Sequence, residues 1–284
     1  MTFQEFLHSD KSKKPHYLLI GNPIEHSVSP IMHNTALQHY NLPGEYVALS
    51  VTGNDITSLI AHCNKAEFLG ANITIPHKET LFDVVDVLSD EAMEIGAINT
   101  IVKADNKLIG HNTDGFGFLA PLEEVEDELE GGRAVIFGTG GATKAIIYAL
   151  QSLNMLEIVL VSRRPGVYDN DDDSIIRCNY DNWSVFAGEA SIIINATPLG
   201  MHPNVNASPV RNSELEYLKG KICYDIVYNP RKTYFLQQAE TAGGFPIGGL
   251  DMLIYQGAKS FKLWTGQEFP VGLVRMRLED VFPA

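Results

Sequence analysis

Apolar residues fall along this chain in two rhythms. Short runs bounded by glycine, proline or asparagine occur at residues 16–21, 45–51, 70–75, 134–137, 157–161, 175–178, 191–194 and 222–227. Runs of this length, rich in β-branched residues and closed by turn formers, read as strands covered on both faces in a largely parallel sheet. Residues 96–102 and 108–110 read as a hairpin turning at Asp105-Asn106. Between these runs, helical spacing and helix signals predict helices over 30–40, 54–63, a stretch from 112 to near Gly131, 142–150, one after residue 230, 251–265 and 270–280. Pro30 suits the first turn of its helix, Ser29 its cap, and Gly266 a helix end. Strands alternating with helices make this an α/β chain. Residues 1–14 are polar and expected to be loosely held, 202–216 carry Pro203 and Pro209 and read as a mobile loop, and Trp183 is expected to cover the edge of the strand at 175–178.

Two junctions carry chemical information. Residues 134–137 run into Gly138-Thr139-Gly140-Gly141-Ala142, a glycine turn opening a helix with a GxGxxT spacing. The first amides of a helix have no internal partners, and a diphosphate can sit on them. A glycine-rich turn alone serves equally as an ordinary tight turn. The next strand, however, ends in Ser162-Arg163-Arg164. An NAD site usually presents a carboxylate there for the ribose 2′-hydroxyl; two guanidiniums suit a 2′-phosphate instead, and so NADP. Asp169 and Asp171 to Asp173 follow as a solvated loop. Thr197 closes the strand at 191–194, at the end where a Rossmann cofactor lies.

The second junction is Asn72-Ile73-Thr74-Ile75-Pro76-His77-Lys78. Asn72 and Thr74 give one face of a strand a polar character, which points that face into a cleft. Lys78 is placed in the first turn of a following helix, where a cation opposes the helix dipole. Asn99, Asn112 and Asp114 add to a polar vocabulary suited to a polyhydroxylated ligand; Asp114 serves equally as a helix cap, as do Ser27 and Ser29, which could alternatively bind a small carboxylate.

Composition narrows the partners. The 284 residues are 45% hydrophobic and 20% charged with a net charge of -14, which fits a soluble two-domain chain and opposes nucleic acid or an anionic membrane. Cys63, Cys178 and Cys223 are widely spaced and odd in number, so they read as core thiols of a reducing compartment, and no metal-ligand pattern is present.

Seven blocks in one order give the chain a resemblance to the shikimate dehydrogenase family. They are Ser27-Val28-Ser29-Pro30, Asn72 to Lys78, Gly96 to Thr100, Asn112 to Gly115, Gly138 to Ala142, Asn195 to Met201 and Tyr228-Asn229-Pro230. The resemblance implies NADP-dependent interconversion of shikimate and 3-dehydroshikimate in aromatic amino acid (chorismate) synthesis, by a cytoplasmic monomer or homodimer. It implies Lys78 and Asp114 as the catalytic pair, Ser27 and Ser29 as a carboxylate clamp, and Thr74, Asn99 and Gln256 as ligands of the ring hydroxyls, with Tyr228 near the substrate. Gly138, Thr139, Gly140, Gly141, Ala142, Ser162, Arg163, Arg164 and Thr197 would hold NADP. Family members often have Asn at position 162 and Ala at 139, which leaves the adenine side least defined. The fold expected is α/β in two domains: a three-layer α/β substrate domain over residues 1–114, completed by helices within 251–284, and a Rossmann-type NADP-binding domain over 115–250. Broader quinate/shikimate dehydrogenase activity and a non-catalytic nucleotide-binding regulatory module are the alternatives; retention of Lys78 and Asp114 opposes the second.

Overall fold

The structure, a computed structural model, describes residues 1–167 and 174–281. Asp169 and Asp171 to Asp173, expected as a solvated loop, lie outside the described residues. Two compact units form: Met1–Asp114 with the segment from Ile254 onward, and Gly115–Leu253.

The first unit holds β1 (His16–Gly21), β2 (Glu45–Ser50), β3 (Phe68–Ile73), β4 (Val87–Leu88), β5 (Thr100–Ala104) and β6 (Lys107–His111). They lie in the order β2-β1-β3-β5-β6-β4. β1 is parallel to β2 and β3, and β5 runs antiparallel to β3 and β6. Every residue of β1 is buried, because alternate side chains feed two different layers. Leu18 and Ile20 join Phe3, Phe6, Leu59 and Cys63 on one face. On the other, Tyr17 meets Trp264 at 5.1 Å between ring centroids, in the layer that also stacks His33 on Tyr46 at 4.4 Å.

Residues 1–14 depart from expectation. Phe3–Leu7 is a helix held by a Thr2–Glu5 capping box, and Phe3 and Phe6 are fully buried. Two buried phenylalanines, about 1.5–3 kcal/mol each, outweigh the polar residues around them. The Met1 carbonyl also accepts from the Ser50 amide at 2.9 Å.

The second unit holds β7 (Arg133–Phe137), β8 (Glu157–Val161), β9 (Ile175–Cys178), β10 (Ala190–Asn195), β11 (Ile222–Asp225) and β12 (Phe245–Gly248). All neighbours are parallel, in the order β12-β11-β10-β7-β8-β9. This is the doubly wound arrangement, whose order reverses between β7 and β10. Ala134, Ile136, Ile158 and Ile192 pack into one core face, and Val135, Phe137, Val159 and Ile193 into the other.

Several elements differ from the sequence pattern. The helix expected from 112 to Gly131 breaks into Asp114–Leu119, a 3₁₀ stretch Ala120–Val125 and Glu126–Leu129; Pro121 in the first turn of the 3₁₀ stretch lacks the amide an α-helix would use. β12 was not apparent because Phe245-Pro246-Ile247-Gly248 is short and contains proline, which an edge strand tolerates. Trp183 is fully buried, with its ring 5.0 Å from Phe137 of β7, in the core cluster that also takes in Cys178 of β9. Within 202–216, Ser208 and Val210 are tied to Gln238, and the 3₁₀ helix Asn212–Leu218 follows. All three cysteines are buried and free.

Candidate active site

In the first unit, one end of the sheet gathers the polar residues. β1 and β3 are parallel, so the loops after them leave at the same end: one carries Ser27 and Ser29, the other Thr74 and Lys78. The antiparallel β5 begins there, just after Asn99, and β6 ends there, just before Asp114. Backbone bonds lock the junction, from Thr74 N–H to Ile20 C=O at 2.8 Å, Ile73 N–H to Asn99 C=O at 2.7 Å, and Asn99 N–H to His111 C=O at 3.0 Å. Strand topology thus brings together residues 36 positions apart, and Lys78 Nζ donates to Asp114 Oδ2. Both side chains are largely buried, at 12% and 8% exposure, so this pair is shielded from the solvent that weakens surface ion pairs.

Asp114 is held from its other side. Asn99 Nδ2 donates to Asp114 Oδ1 at 2.8 Å and to Thr113 Oγ1 at 2.9 Å. Asn99 Oδ1 accepts from the Thr113 amide at 2.8 Å, which fixes the orientation of the Asn99 amide. Asn112 plays a local part, accepting from the Asp114 amide at 3.0 Å and donating to Ala97 C=O at 2.9 Å.

Three expectations change here. No helix follows Ile75: residues 75–76 and 78–84 are turns, so no helix dipole acts on Lys78. Ser29 is the first helical residue of Ser29–His39 and not its cap; Val28 occupies the cap position without a side-chain bond. The Ser27 hydroxyl accepts from the Ser29 amide at 3.3 Å and donates to the Ser29 hydroxyl at 3.2 Å. Asn72 does not look into an open cleft. It is 5% exposed, accepting from the Tyr46 hydroxyl at 2.8 Å and donating to Thr100 at 3.1 Å and Ser260 at 2.9 Å.

Thr74 and Gln256 are half-buried, and the Gln256 carbonyl accepts from Ser260 Oγ at 3.0 Å. His77 is spent on the Val51 carbonyl at 2.7 Å. Tyr46, Thr100, Thr113 and Ser260 were missed as members of this network; Thr100 and Thr113 stood within the quoted blocks beside Asn99 and Asp114, and Ser260 one turn beyond Gln256 on the same helix.

In the second unit, the ends of β7, β8 and β10 border a cleft of about 670 Å³ lined by Gly138, Thr139, Gly140, Ser162, Arg163, Ala196 and Thr197. Gly138 has φ +106°, and a Cβ there would lie 2.9 Å from Thr197 Cγ2 and 3.0 Å from Ala196 O. Glycine is therefore required by backbone conformation and by space. Gly141 and Ala142 open the helix Gly141–Ser152, whose cap Gly140 has no side chain to bond its first amides; the Thr143 amide is taken by the Gly140 carbonyl at 2.9 Å.

Thr139, Ser162, Arg163 and Arg164 line an adjoining hollow of about 420 Å³. Ser162 is 7% exposed, and its Oγ has no hydrogen-bond partner among the described residues. A buried orphan hydroxyl beside two exposed guanidiniums fits a phosphate ester that would satisfy it. The residues present thus fit the 2′-phosphate of NADP. Tyr180, Ser208 and Arg211 also line the cleft; no sequence signal marked them. Tyr228 lies in this unit, half-buried, and burial raises its phenol above the ordinary range.

A doubly wound sheet with a phosphate-ready crevice, and a separate unit holding a shielded lysine–aspartate pair, define an α/β dinucleotide-dependent oxidoreductase. Residues 19–101 match the model of the shikimate dehydrogenase substrate binding domain, and 249–279 that of the shikimate 5'-dehydrogenase C-terminal domain. A shikimate dehydrogenase (NADP(+)) of Salinibacter ruber is 38% identical over 267 residues, covering 90% of this chain and 94% of its own. A shikimate dehydrogenase crystallised with NADP+ superposes with TM-score 0.85 at 34% identity, over 96% of this chain and 97% of that one. The Thermus thermophilus enzyme, in complex with NADP(H) and shikimate, gives 0.82 at 31% identity, over 94% and 100%. The chain belongs to the shikimate dehydrogenase family. Among the described residues, no helix is long and apolar enough to cross a membrane, and no group of three or more His, Cys, Asp or Glu could hold a metal ion.

Proposed function

We propose that the protein catalyses the reversible NADP-dependent oxidation of shikimate to 3-dehydroshikimate, with the first unit binding substrate and the second binding NADP. The observation that carries the chemistry is the Lys78–Asp114 pair at the polar end of the first sheet. NADP, when bound, supplies the hydride exchange.

The chain's residues manage charge and protons. In the reducing direction, negative charge grows on the substrate oxygen, and the Lys78 ammonium stabilises it and delivers a proton. In the oxidising direction Lys78 takes that proton back. Asp114 balances and aims the ammonium, and Asn99 holds Asp114. Ser27 and Ser29 present adjacent hydroxyls to the substrate carboxylate. Thr74 and Gln256 serve the ring. Asn99 reaches a ring hydroxyl only by exchanging one of its present partners, and Thr113 is the one that can be released, since its hydroxyl also meets Ser260 at 3.2 Å.

The test is purified protein with shikimate or quinate and NADP+ or NAD+, read as reduced cofactor at 340 nm. Shikimate with NADP+ is expected to give the highest kcat/KM. Absence of shikimate oxidation with both cofactors, in protein that binds NADP+, would refute the activity.

A further inference from the structure

The turn that closes the cofactor cleft from the β10 side is built on one amide. Asn195 is fully buried. Its Oδ1 accepts from the Thr197 amide at 3.1 Å and the Thr197 hydroxyl at 2.6 Å, and its Nδ2 donates to Leu199 C=O at 3.1 Å. Ala196, Thr197, Pro198 and Leu199 all line the cleft, and Thr197 and Ala196 are the groups that a side chain at Gly138 would strike. The orientation of the Asn195 amide therefore sets the wall facing the glycine turn. An amide turned by half a rotation would set its NH2 against the Thr197 amide and its oxygen against Leu199 C=O.

One neighbour enforces the observed orientation. Asp225, at the end of β11 and opposite Asn195 in the sheet, is fully buried. Its Oδ1 accepts from Asn195 Nδ2 at 3.0 Å and from the Val227 amide at 3.0 Å, while Oδ2 accepts from Thr233 Oγ1 at 2.5 Å. An ionised carboxylate can only accept, so the face of Asn195 turned to it must be the NH2.

We infer that Asp225 is a positioning residue of the cofactor site, acting through Asn195 to hold the 195–199 turn in its NADP-binding shape. The inference rests on the reading of that cleft as the NADP site. Asp225 does not line the cleft, so its effect must pass through the turn. Burial pushes its carboxyl up to about 6, against the three donors that favour the charged form. The elements packed against it, β10, β12, the turn after β11 and the start of the helix Tyr234–Ala242, present Asn195, Gly248, Val227 and Thr233, none of which is ionisable. As pH falls through about 6, protonation removes acceptor capacity and the clamp on Asn195 weakens.

The experiment is a double-mutant cycle on the full chain, with NADP+ as the titrated ligand and Kd read by calorimetry at pH 7.5. The wild type comes first: failure to bind NADP+ overturns the site reading itself, before any variant is made. Asp225→Ala is expected to raise Kd about tenfold, the equivalent of one lost charge-assisted hydrogen bond. Asn195→Ala is expected to do the same, and the double variant to lose no more than either alone. A wild-type Kd in folded Asp225→Ala, or losses that add, would overturn the positioning role.

If Asp225→Ala does not fold, Asp225→Asn carries the test, because it retains an oxygen for Asn195. Between pH 7.5 and 5.5 its Kd should change less than that of the wild type. The 2′-phosphate, which titrates near pH 6, contributes equally to both proteins and cancels in the comparison. Parallel pH profiles would refute the inference.

Discussion

Replacing Asp114 by asparagine tests the centre of the proposed chemistry, because no orientation of the new amide satisfies its surroundings. The two carboxylate oxygens accept from different donors, Lys78 Nζ on Oδ2 and Asn99 Nδ2 on Oδ1. An amide offers one oxygen. If it faces Lys78, its NH2 confronts the NH2 of Asn99; if it faces Asn99, its NH2 confronts the ammonium. Asn99 cannot turn over to relieve the conflict, because its oxygen is held by the Thr113 amide at 2.8 Å. One hydrogen bond to a charged group is lost either way, worth about 1.5–3 kcal/mol. The ammonium also loses its counter-charge where its side chain is only 12% exposed. Breaking such a pair costs up to about 3–5 kcal/mol when fully buried, and partial access to water reduces that figure here. We expect Asp114→Asn to fold with a reduced urea midpoint and to lose roughly 10²–10⁴ in kcat, the range of general acid–base assistance. Lys78→Met should lose turnover in the same range while retaining much of its shikimate binding. The assay is steady-state oxidation of shikimate with saturating NADP+, beside a urea melt of each variant. A folded Asp114→Asn enzyme with kcat within about threefold of wild type, well short of the range assigned to acid–base assistance, would show that the pair is structural.

Three further outcomes are expected. Arg163→Ala should weaken NADP+ by about 1.5–3 kcal/mol and NAD+ much less; equal weakening in direct titrations would assign Arg163 to the fold or to atoms the two cofactors share. Shikimate should exceed quinate in kcat/KM, and Ser29→Thr should narrow the gap, because the extra quinate hydroxyl lies beside the carboxylate that the serines would clamp and needs a partner there; quinate matching shikimate in the wild type would overturn the substrate assignment alone. His33 is fully buried against Tyr46, and that burial holds its pKa down to about 3. The unfolded chain therefore takes up this proton first as pH falls below about 6.5, so stability should fall from there toward pH 3, and His33→Phe should flatten the slope by up to ~1.4 kcal/mol per pH unit. An unchanged slope of urea-melt stability between pH 7 and 4.5 would reject the assignment.

The second unit was legible in the sequence because its information is local. Its central strands are apolar on both faces, and the phosphate-binding groups stand within a few residues of the strand ends that present them. The glycines follow β7 and the arginines follow β8 directly. What escaped there was β12, where four residues with a proline carry little periodic signal, and the lining by Tyr180, Ser208 and Arg211, which depends on how distant segments fold back over the cleft. At the N-terminus, Phe3 and Phe6 were hidden among polar neighbours, although their spacing of three is a helical one.

The first unit shows why polarity along a strand is an ambiguous sign. Asn72 and Thr74 alternate with isoleucines, and alternation of that kind usually marks a face turned to solvent or to a ligand. Asn72 is instead buried, because its polar face meets other polar groups. β3 and β5 are antiparallel neighbours with Asn72 opposite Thr100, and Ser260 reaches both from the helix Leu250–Thr265, at 2.9 Å and 2.8 Å. The period of two is the same for a wet face and for a buried network, so it cannot separate them; the strand order does. The Lys78–Asp114 pair, which the resemblance implies, is likewise out of reach of local pattern alone. The polar strand-end position of Lys78 was visible, but its partner lies 36 residues on, beyond a hairpin whose register decides which carboxylate it meets. With Thr100 set opposite His111 across that hairpin, Asn99 and Asn112 stand at the open end of the strand pair. Asp114 then follows within reach of Asn99, which aims it at Lys78. Shifting that register by one residue would reverse the facing of every side chain in the shifted strand and part the lysine from its carboxylate. The chemistry of this unit is thus encoded in the pairing of two strands as much as in the two charged residues themselves.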